Sequence, residues 1–439
     1  MIRHILKQLW AQRKYNTWIF IELLLVFVLV WVLADYAFIS IHNRSIPRGF
    51  NTSNAYMVRY GIYGSETSRY NPVEDDSIKT MQNLDLFLQK IKFYKNVQTA
   101  ALTCTSWGST PFSGGNNQSA VINPEDTTKV IYPQLKNVFS GDYFRIFRYA
   151  SSKDNSWERI ANIDLRQNQT LFITKQVERA VFGNQSAIGK KVYADIGEGK
   201  REYIVAEVLN DQKRFDYILP YGAIFGPSEL PNPNNLEEFA ICLRTQPGVS
   251  ERQFIADFRK EMTKPLQIGN FYLKEIQSFQ SIKESTDYMF GITNEIRLRT
   301  ILLIFFLFNI ALGIIGTFWF RNQTRRGEIG LRMAMGSTSN KIEHQFITEA
   351  LLLFTFAVIP AILINLAIAK ADVIKLNMDI IMSYKTVKGS PYITQNAPLR
   401  FLITNGITYI FLSIVIILSA WIPANHASKV HPVDALHDE

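Results

Sequence analysis

The segment from Ile301 to Phe320 runs for 20 residues without a charged side chain. A bilayer core about 30 Å thick is crossed by about 20 apolar residues, because a helix rises 1.5 Å per residue. Three other segments share this character, and together they predict transmembrane helices at 18–38, 301–320, 346–369 and 401–422. The first is longer than the apolar core of a cleaved signal peptide, about 7–15 residues. A chain with four such helices is built around a membrane.

Residues 41–275 form a long polar stretch between the first two apolar segments. This stretch is too long and too polar for a connector, so it predicts a folded domain outside the membrane. Residues 78–95 have helical periodicity, whereas 203–209 and 239–243 are typical of strands. The predicted fold class is therefore an integral membrane α-helical protein with four transmembrane helices and a large extracytoplasmic α+β domain inserted between helices 1 and 2. Residues 137–225 are a possible inserted subdomain.

The chain has a net charge of +9, and its basic residues beside the predicted spans indicate which side of the membrane each span end faces. Residues 1–17 carry four basic and no acidic side chains, and 321–344 carry five basic against two acidic. Since basic flanks stay in the cytoplasm, the segments 1–17, 321–345 and 423–439 are predicted to be cytoplasmic. The connection 370–400 then lies outside, although it also carries five basic residues against two acidic.

Two features of the outer domain remain open from the sequence. Apolar residues at helical spacing over 276–300 predict a stalk helix that continues into the second span, although Gly291 interrupts it. The alternative is an ordinary amphipathic helix that ends the domain. Cys104 and Cys242 both lie in this domain, where an oxidising compartment would permit a disulfide, but their spacing does not show proximity.

Motifs for catalysis and metal binding are missing from the sequence. It has no G-x-x-x-x-G-K-[ST] loop to hold ATP phosphates, and its six histidines lack metal-ligand spacing. It also has no nucleic-acid-binding module. The sequence therefore predicts no enzyme active site, cofactor or metal in this chain. Asn309, Asn365 and Asn405 lie deep in the spans, where they are expected to hydrogen-bond across helices.

Two cytoplasmic segments carry a family resemblance. Residues 325–336, RRGEIGLRMAMG, closely resemble the loop after the second helix in MacB/FtsX-type ABC transporter permeases, and 423–436 resemble that family's closing signature. Tyr143-Phe144 and Ile188-Gly189-Lys190 resemble its periplasmic module. The resemblance implies ATPase-coupling residues Arg325, Arg326, Glu328, Ile329, Gly330, Arg332, Gly336 and Lys341. The C-terminal signature comprises Pro423, Ala427, Pro432, Val433, Ala435 and Leu436.

The resemblance also implies partners and a location. It implies a type VII, mechanotransmission permease of the bacterial inner membrane that works with a separate ABC ATPase, which would hold the ATP and Mg. The second partner is another permease copy or a paralogue, giving a dimer. A periplasmic adaptor, a hydrolase or a lipoprotein is a further possible partner, as is membrane lipid. Unlike the macrolide exporters, the chain has no ATPase domain ahead of its first helix, and its third helix has Pro360 where many relatives are glycine-rich.

Four functions are compatible with this resemblance and architecture. Export of a peptide, an antibiotic or a lipid-linked cargo is favoured, because the outer domain is large. Regulation of a cell-wall hydrolase and release of lipoproteins are the alternatives within the family. A membrane receptor without an ATPase is a remote alternative.

Overall fold

The computed structural model describes residues 13–106, 109–112, 117–166, 169–196, 199–227, 231–324, 327, 331, 333, 335–371 and 392–427. These residues form two compact units. The α+β unit runs from Asn43 to Ile292, and the helical unit takes in the chain up to His42 and the helices from Thr293 onward.

The described residues contain these longer helices: α1 Arg13–Ser45, α2 Ser77–Lys92, α3 Asp142–Phe147, α4 Lys175–Phe182, α5 Glu251–Met262, α6 Phe279–Met289, α7 Ile292–Thr324, α8 Ser339–Ala371 and α9 Ala397–Ala427. The strands are β1 Ala55–Ile62, β2 Val97–Cys104, β3 Val121–Asn123, β4 Asp126–Ile131, β5 Gln134–Val138, β6 Thr170–Thr174, β7 Lys191–Asp195, β8 Lys200–Leu209, β9 Ala223–Pro227, β10 Phe239–Thr245 and β11 Phe271–Ser278.

In the part of the chain that the structure describes, four helices are long and apolar enough to cross a membrane: α1, α7, α8 and α9. Each contains one of the four predicted spans and extends beyond it at both ends. The buried side of α1 repeats every four residues at Ile19, Leu23 and Phe27, as a single helix face requires. This face packs with α8 and α9 into one apolar core.

Small residues let α8 pack closely despite its lack of glycine. Ala350, Ala357 and Ala361 are fully buried in the core shared with α1 and α9. Alanine, like glycine, permits close helix approach in a membrane. The helix is continuous through Pro360. The predicted outer loop at 370–400 lies mostly outside the described residues.

The α+β unit contains two sheets. In the described residues, an antiparallel sheet has the strand order β11-β1-β10-β2, and a mixed sheet has the order β4-β3-β7-β8-β6-β9-β5. The mixed sheet takes residues from Val121 to Pro227, a wider range than the possible subdomain at 137–225. All its strands lie in the chain between β2 and β10, which are neighbours in the antiparallel sheet.

Aromatic side chains fill the core where the two parts of the α+β unit meet. Phe144 of α3 contacts Phe172 of β6 with ring centroids 5.1 Å apart, and Phe147 contacts Phe279 with ring centroids 5.0 Å apart. Arg244 of β10 is 2% exposed and donates to the backbone carbonyls of Ile146 at 2.7 Å and Ser53 at 2.6 Å. This buried guanidinium therefore joins β10 to α3 and to the segment that follows α1.

The predicted stalk helix over 276–300 is wrong in two respects. Residues 276–278 belong to strand β11, so the helix begins only at Phe279. It then ends at Met289, and a new helix begins at Ile292. The break falls at Gly291, whose φ of +71° is in the left-handed region that favours glycine.

Candidate functional site

The described part of the predicted coupling segment is a short turn that ends at Gly336. The Met335 amide donates to the Leu331 carbonyl at 3.0 Å, which is one turn of helix. Gly336 ends the turn with a φ of +92°, and its amide donates to the Met333 carbonyl at 3.0 Å. Helix α8 begins three residues later at Ser339. We call the described residues Leu331, Met333, Met335 and Gly336 the coupling turn.

The described apolar side chains of the coupling turn differ in burial. Met333 packs against a small core formed by Ile342, Phe346 and Ala424, on α8 and α9. Leu331 and Met335 are 51% and 72% exposed. The structure therefore holds the turn to the helices through one methionine and leaves two apolar side chains exposed.

Of the other predicted site residues, some lie in helices and the rest lie outside the described residues. Lys341 is exposed in the first turn of α8, and Pro423 and Ala427 lie in α9. The remaining predicted residues lie outside the described residues: Arg325, Arg326, Glu328, Ile329, Gly330, Arg332, Pro432, Val433, Ala435 and Leu436.

A second cluster, in the α+β unit, surrounds the loop between β8 and β9. Asp216 accepts hydrogen bonds from Arg48 Nε at 2.6 Å and Arg48 Nη2 at 2.8 Å. Lys283 Nζ of α6 lies 3.0 Å from the same carboxylate. Burial alone would raise the pKa of Asp216, but Arg48 and Lys283 outweigh it and lower that pKa to about 2. The carboxylate is therefore ionised at neutral pH.

The same loop holds the end of α1. Lys213 is fully buried, and its Nζ donates to the Asn43 carbonyl and, at 3.2 Å, to the Asp216 carbonyl. Asn43 Nδ2 donates to the Tyr217 carbonyl at 2.7 Å. Burial and the nearby Arg48 lower the pKa of Lys213 to about 8, although Asp216 opposes this shift. We call residues 211–217 the clip loop.

Helix α6 has further contacts beside the clip loop. Thr286 Oγ1 donates to the Phe112 carbonyl at 3.3 Å, and Lys283 also pairs with Asp287 at 3.1 Å. The Phe290 ring lies 5.5 Å from the Phe215 ring, centroid to centroid. Thr286 and Phe290 thus hold the C-terminal end of α6 to the rest of the α+β unit, just before the break at Gly291.

Polar side chains also meet inside the helical unit. Asn365 Nδ2 of α8 donates to Asn405 Oδ1 of α9 at 3.0 Å, which confirms the predicted hydrogen bond across helices. Arg400 Nε lies 3.2 Å from Asp35 Oδ1, and Trp31 Nε1 donates to Thr404 at 3.0 Å. Asn309 instead bonds to the Phe305 carbonyl of its own helix at 2.8 Å.

The two cysteines do not form the possible disulfide. Cys104 is opposite Phe239, whereas Cys242 is opposite Ala101, so the thiols are three positions apart on neighbouring strands. Both are buried free thiols. Burial raises the pKa of both, to about 12 for Cys242. In the described residues, no group of three or more His, Cys, Asp or Glu side chains could hold a metal ion.

Sequence reasoning missed the clip loop entirely. Arg48 and Asp216 are 168 positions apart in the chain, and no spacing rule links them. The one local signal is the charged run Lys213-Arg214-Phe215-Asp216 in a segment between two strands. Charged residues in such a loop are normally solvated, so the run alone does not indicate an ion-pair network.

Residues 300–432 match the family described as FtsX-like permease C-terminal. The macrolide export ATP-binding/permease protein MacB of Salmonella choleraesuis is 24% identical over 315 residues, covering 69% of this chain and 43% of that protein. MacB of Salmonella typhimurium matches with the same identity and coverage. The chain therefore spans less than half the length of these curated relatives.

Two solved structures of low similarity also match. The periplasmic region of MacB from Actinobacillus actinomycetemcomitans has a TM-score of 0.32 and 14% identity, covering 55% of this chain and 95% of that one. The extracellular domain of the noncanonic ABC-type transporter YknZ from Gram-positive bacteria has a TM-score of 0.30 and 16% identity, covering 51% and 100%.

The family match covers the last three long helices and is that of an FtsX-like permease domain. Together with the similarity to MacB, it supports the MacB/FtsX-type permease family predicted from the two cytoplasmic motifs.

Proposed function

We propose that this chain is the permease subunit of an ABC-type machine in the bacterial inner membrane. A separate ATPase subunit binds the coupling turn, and ATP hydrolysis in that partner drives movement of the extracytoplasmic α+β unit. Four apolar helices and a basic cytoplasmic side support this arrangement. The ATP and Mg belong to the partner, and a second permease copy or a paralogue completes the machine.

The observation that carries this proposal is the unequal burial of the apolar side chains in the coupling turn. Met333 anchors the turn to α8 and α9, while Leu331 and Met335 present apolar surface outward. Burying a Leu or Met side chain stabilises a contact by about 1.5–3 kcal/mol. An ATPase that covers both side chains would therefore gain most of its affinity here, and its movement would reach two helices through Met333.

Transport is the function that we favour for the movement. The α+β unit extends from Asn43 to Ile292 and offers a large surface to a cargo or an adaptor. The relatives from Salmonella are named as macrolide export proteins, which agrees with export of a peptide, an antibiotic or a lipid-linked cargo. Regulation of a cell-wall hydrolase and release of lipoproteins are the alternatives, and each predicts a different protein bound to the α+β unit.

The test is purification of the full chain in mild detergent, with quantitative mass spectrometry of co-purifying proteins. Leu331→Ser combined with Met335→Ser should lower recovery of a P-loop ATPase at least about tenfold, since losing about 1.4 kcal/mol is already tenfold. The matched control is Val73→Ser with Phe93→Ser, two apolar residues of the α+β unit that are also exposed. Equal ATPase recovery from both double variants would refute the docking site. Recovery of the wild-type chain without any ATPase would refute the ABC assignment.

A further inference from the structure

Three separate chain segments meet at the carboxylate of Asp216. Arg48 belongs to the segment that follows α1, Asp216 to the clip loop, and Lys283 to α6. Arg48 binds in the bidentate manner that gives guanidinium–carboxylate pairs both strength and fixed geometry. The Asp216 side chain is 26% exposed and that of Lys283 is 13% exposed, so solvent screens these pairs less than surface pairs.

The clip loop is itself held firmly beside α1. The Lys213 amide donates to the Arg48 carbonyl at 3.2 Å, and the Tyr221 amide donates to the Gln212 carbonyl at 2.8 Å. Gly49 has a φ of +80°, and a Cβ there would lie 2.2 Å from the Asp211 carbonyl oxygen. Backbone therefore packs against backbone on this side, and the loop has little freedom to shift away.

Helix α1 continues through this contact without a break. It ends at Ser45, beyond Asn43, whose backbone and side chain are bound by Lys213 and Tyr217. Helix α6, in contrast, is separated from α7 by Gly291. The clip loop thus binds the end of α1, which is a candidate membrane helix, and it also binds α6, which belongs wholly to the α+β unit.

We propose that Asp216 is a positioning residue for the mechanical step, fixing α6 to the end of α1 so that movement of α1 displaces α6. This inference rests on the proposed function, because it needs an ATPase-driven movement to transmit. Ion pairs in partly buried sites are well suited to fixing register, since only one arrangement satisfies all the charges. Asp216 provides that arrangement by binding Arg48 and Lys283 together.

The experiment uses the full chain with its ATPase in lipid nanodiscs and reads three quantities. They are ATPase binding, the rate of ATP hydrolysis, and the change that ATP produces in amide hydrogen exchange of α6. Asp216→Asn keeps the shape of the side chain and removes its charge. It should leave binding and hydrolysis at wild-type levels and reduce the ATP-dependent exchange change in α6 at least threefold, and Asp216→Glu should restore part of it.

The matched control is Asp142→Asn, since Asp142 also lies between two cations, Lys92 at 3.9 Å and Arg145 at 3.6 Å, but away from the clip loop. This control should keep the full exchange change. If Asp216→Asn does not fold, Lys283→Gln removes the same link from α6 and should have the same effect. A full exchange change in Asp216→Asn or in a folded Lys283→Gln variant would overturn the role of Asp216. If the ATPase does not bind the wild-type chain, or if ATP does not change amide hydrogen exchange in it, the proposed function is wrong. Asp216 would then have no ATP-driven movement to transmit.

Discussion

Asn365 on α8 and Asn405 on α9 share a hydrogen bond of 3.0 Å inside the helical unit. Asn365 is fully buried, and Asn405 also donates to the Phe401 carbonyl of its own helix at 2.8 Å. In an apolar environment an unpaired amide is costly, so the pair fixes how α8 and α9 align along their length.

Replacing this pair should weaken the helical unit measurably. Asn365→Leu removes the bond and leaves Asn405 Oδ1 without that donor. This change should lower the free energy of unfolding by about 0.6–1.7 kcal/mol. The midpoint of thermal unfolding of the detergent-solubilised chain should fall by about 2–4 °C. Asn309→Leu is the control, because Asn309 is exposed and its bond in the described residues is to the Phe305 carbonyl of its own helix. Equal midpoints for the two variants would mean that the bond across helices contributes nothing.

Gly291 is predicted to act as the joint between α6 and α7. No atom lies within 4 Å of a Cβ built at Gly291, so Gly291→Ala meets no steric obstacle and acts only through its backbone. Alanine disfavours a φ of +71° by about 1 kcal/mol and favours one continuous helix. The ATP-dependent change in hydrogen exchange of α6 should therefore differ from wild type, while ATPase binding is kept.

Two glycine controls separate the joint from general effects of alanine. Gly248→Ala introduces the same kind of strain at a φ of +85° in a turn before α5, and Gly316→Ala changes the interior of α7 without such strain. Neither should alter the exchange change in α6. An effect of the same size in all three variants would contradict a specific role for Gly291.

The clip loop should make stability depend on acid pH. The native pKa of Asp216, about 2, lies below the ordinary value of 3.8, so its stabilisation is present above about pH 4 and lost as the pH falls towards 2. This lowering of the Asp216 pKa corresponds to about 2 kcal/mol of unfolding free energy. Asp216→Asn should thus be less stable than wild type at pH 6 by about this amount, and the difference should vanish near pH 2.

Chemical denaturation across this pH range measures that difference directly. The other charged groups that face this site are Arg48 and Lys283, which contact the carboxylate, Asp287, which pairs with Lys283, and Lys213, which donates to the Asp216 backbone carbonyl. A wild-type to variant difference that stays constant from pH 6 to pH 2 would show that the charge of Asp216 does not stabilise the fold.

Periodic patterns in the sequence predicted the long elements because these patterns are local. The four apolar spans fall within α1, α7, α8 and α9, and the segments 78–95 and 203–209 overlap α2 and β8. The stalk helix was predicted to begin too early because apolar residues at 276–279 fit both periods over so short a run. Pairing with β1 in the antiparallel sheet decided in favour of a strand there.

The sequence motif predicts a coupling segment after the second apolar helix, and its described residues lie between α7 and α8. Alternation of apolar residues could not tell which of its side chains is buried. Contact with Ile342, Phe346 and Ala424 selected Met333 as the anchor. Ala424 of that core is 91 positions from Met333, and sequence pattern carries no information on such a pairing.

By itself, the sequence determined that this chain has four apolar helices, a polar α+β insertion and the motifs of a permease family, because hydrophobicity, charge and motif are properties of contiguous residues. Only the tertiary structure decided that Cys104 and Cys242 stay apart and that Gly291 divides the predicted stalk. It also decided that Arg48, Asp216 and Lys283 meet. The physical reason is that an ion pair needs only a short distance between charges, and the fold alone sets the distance between residues remote in the chain.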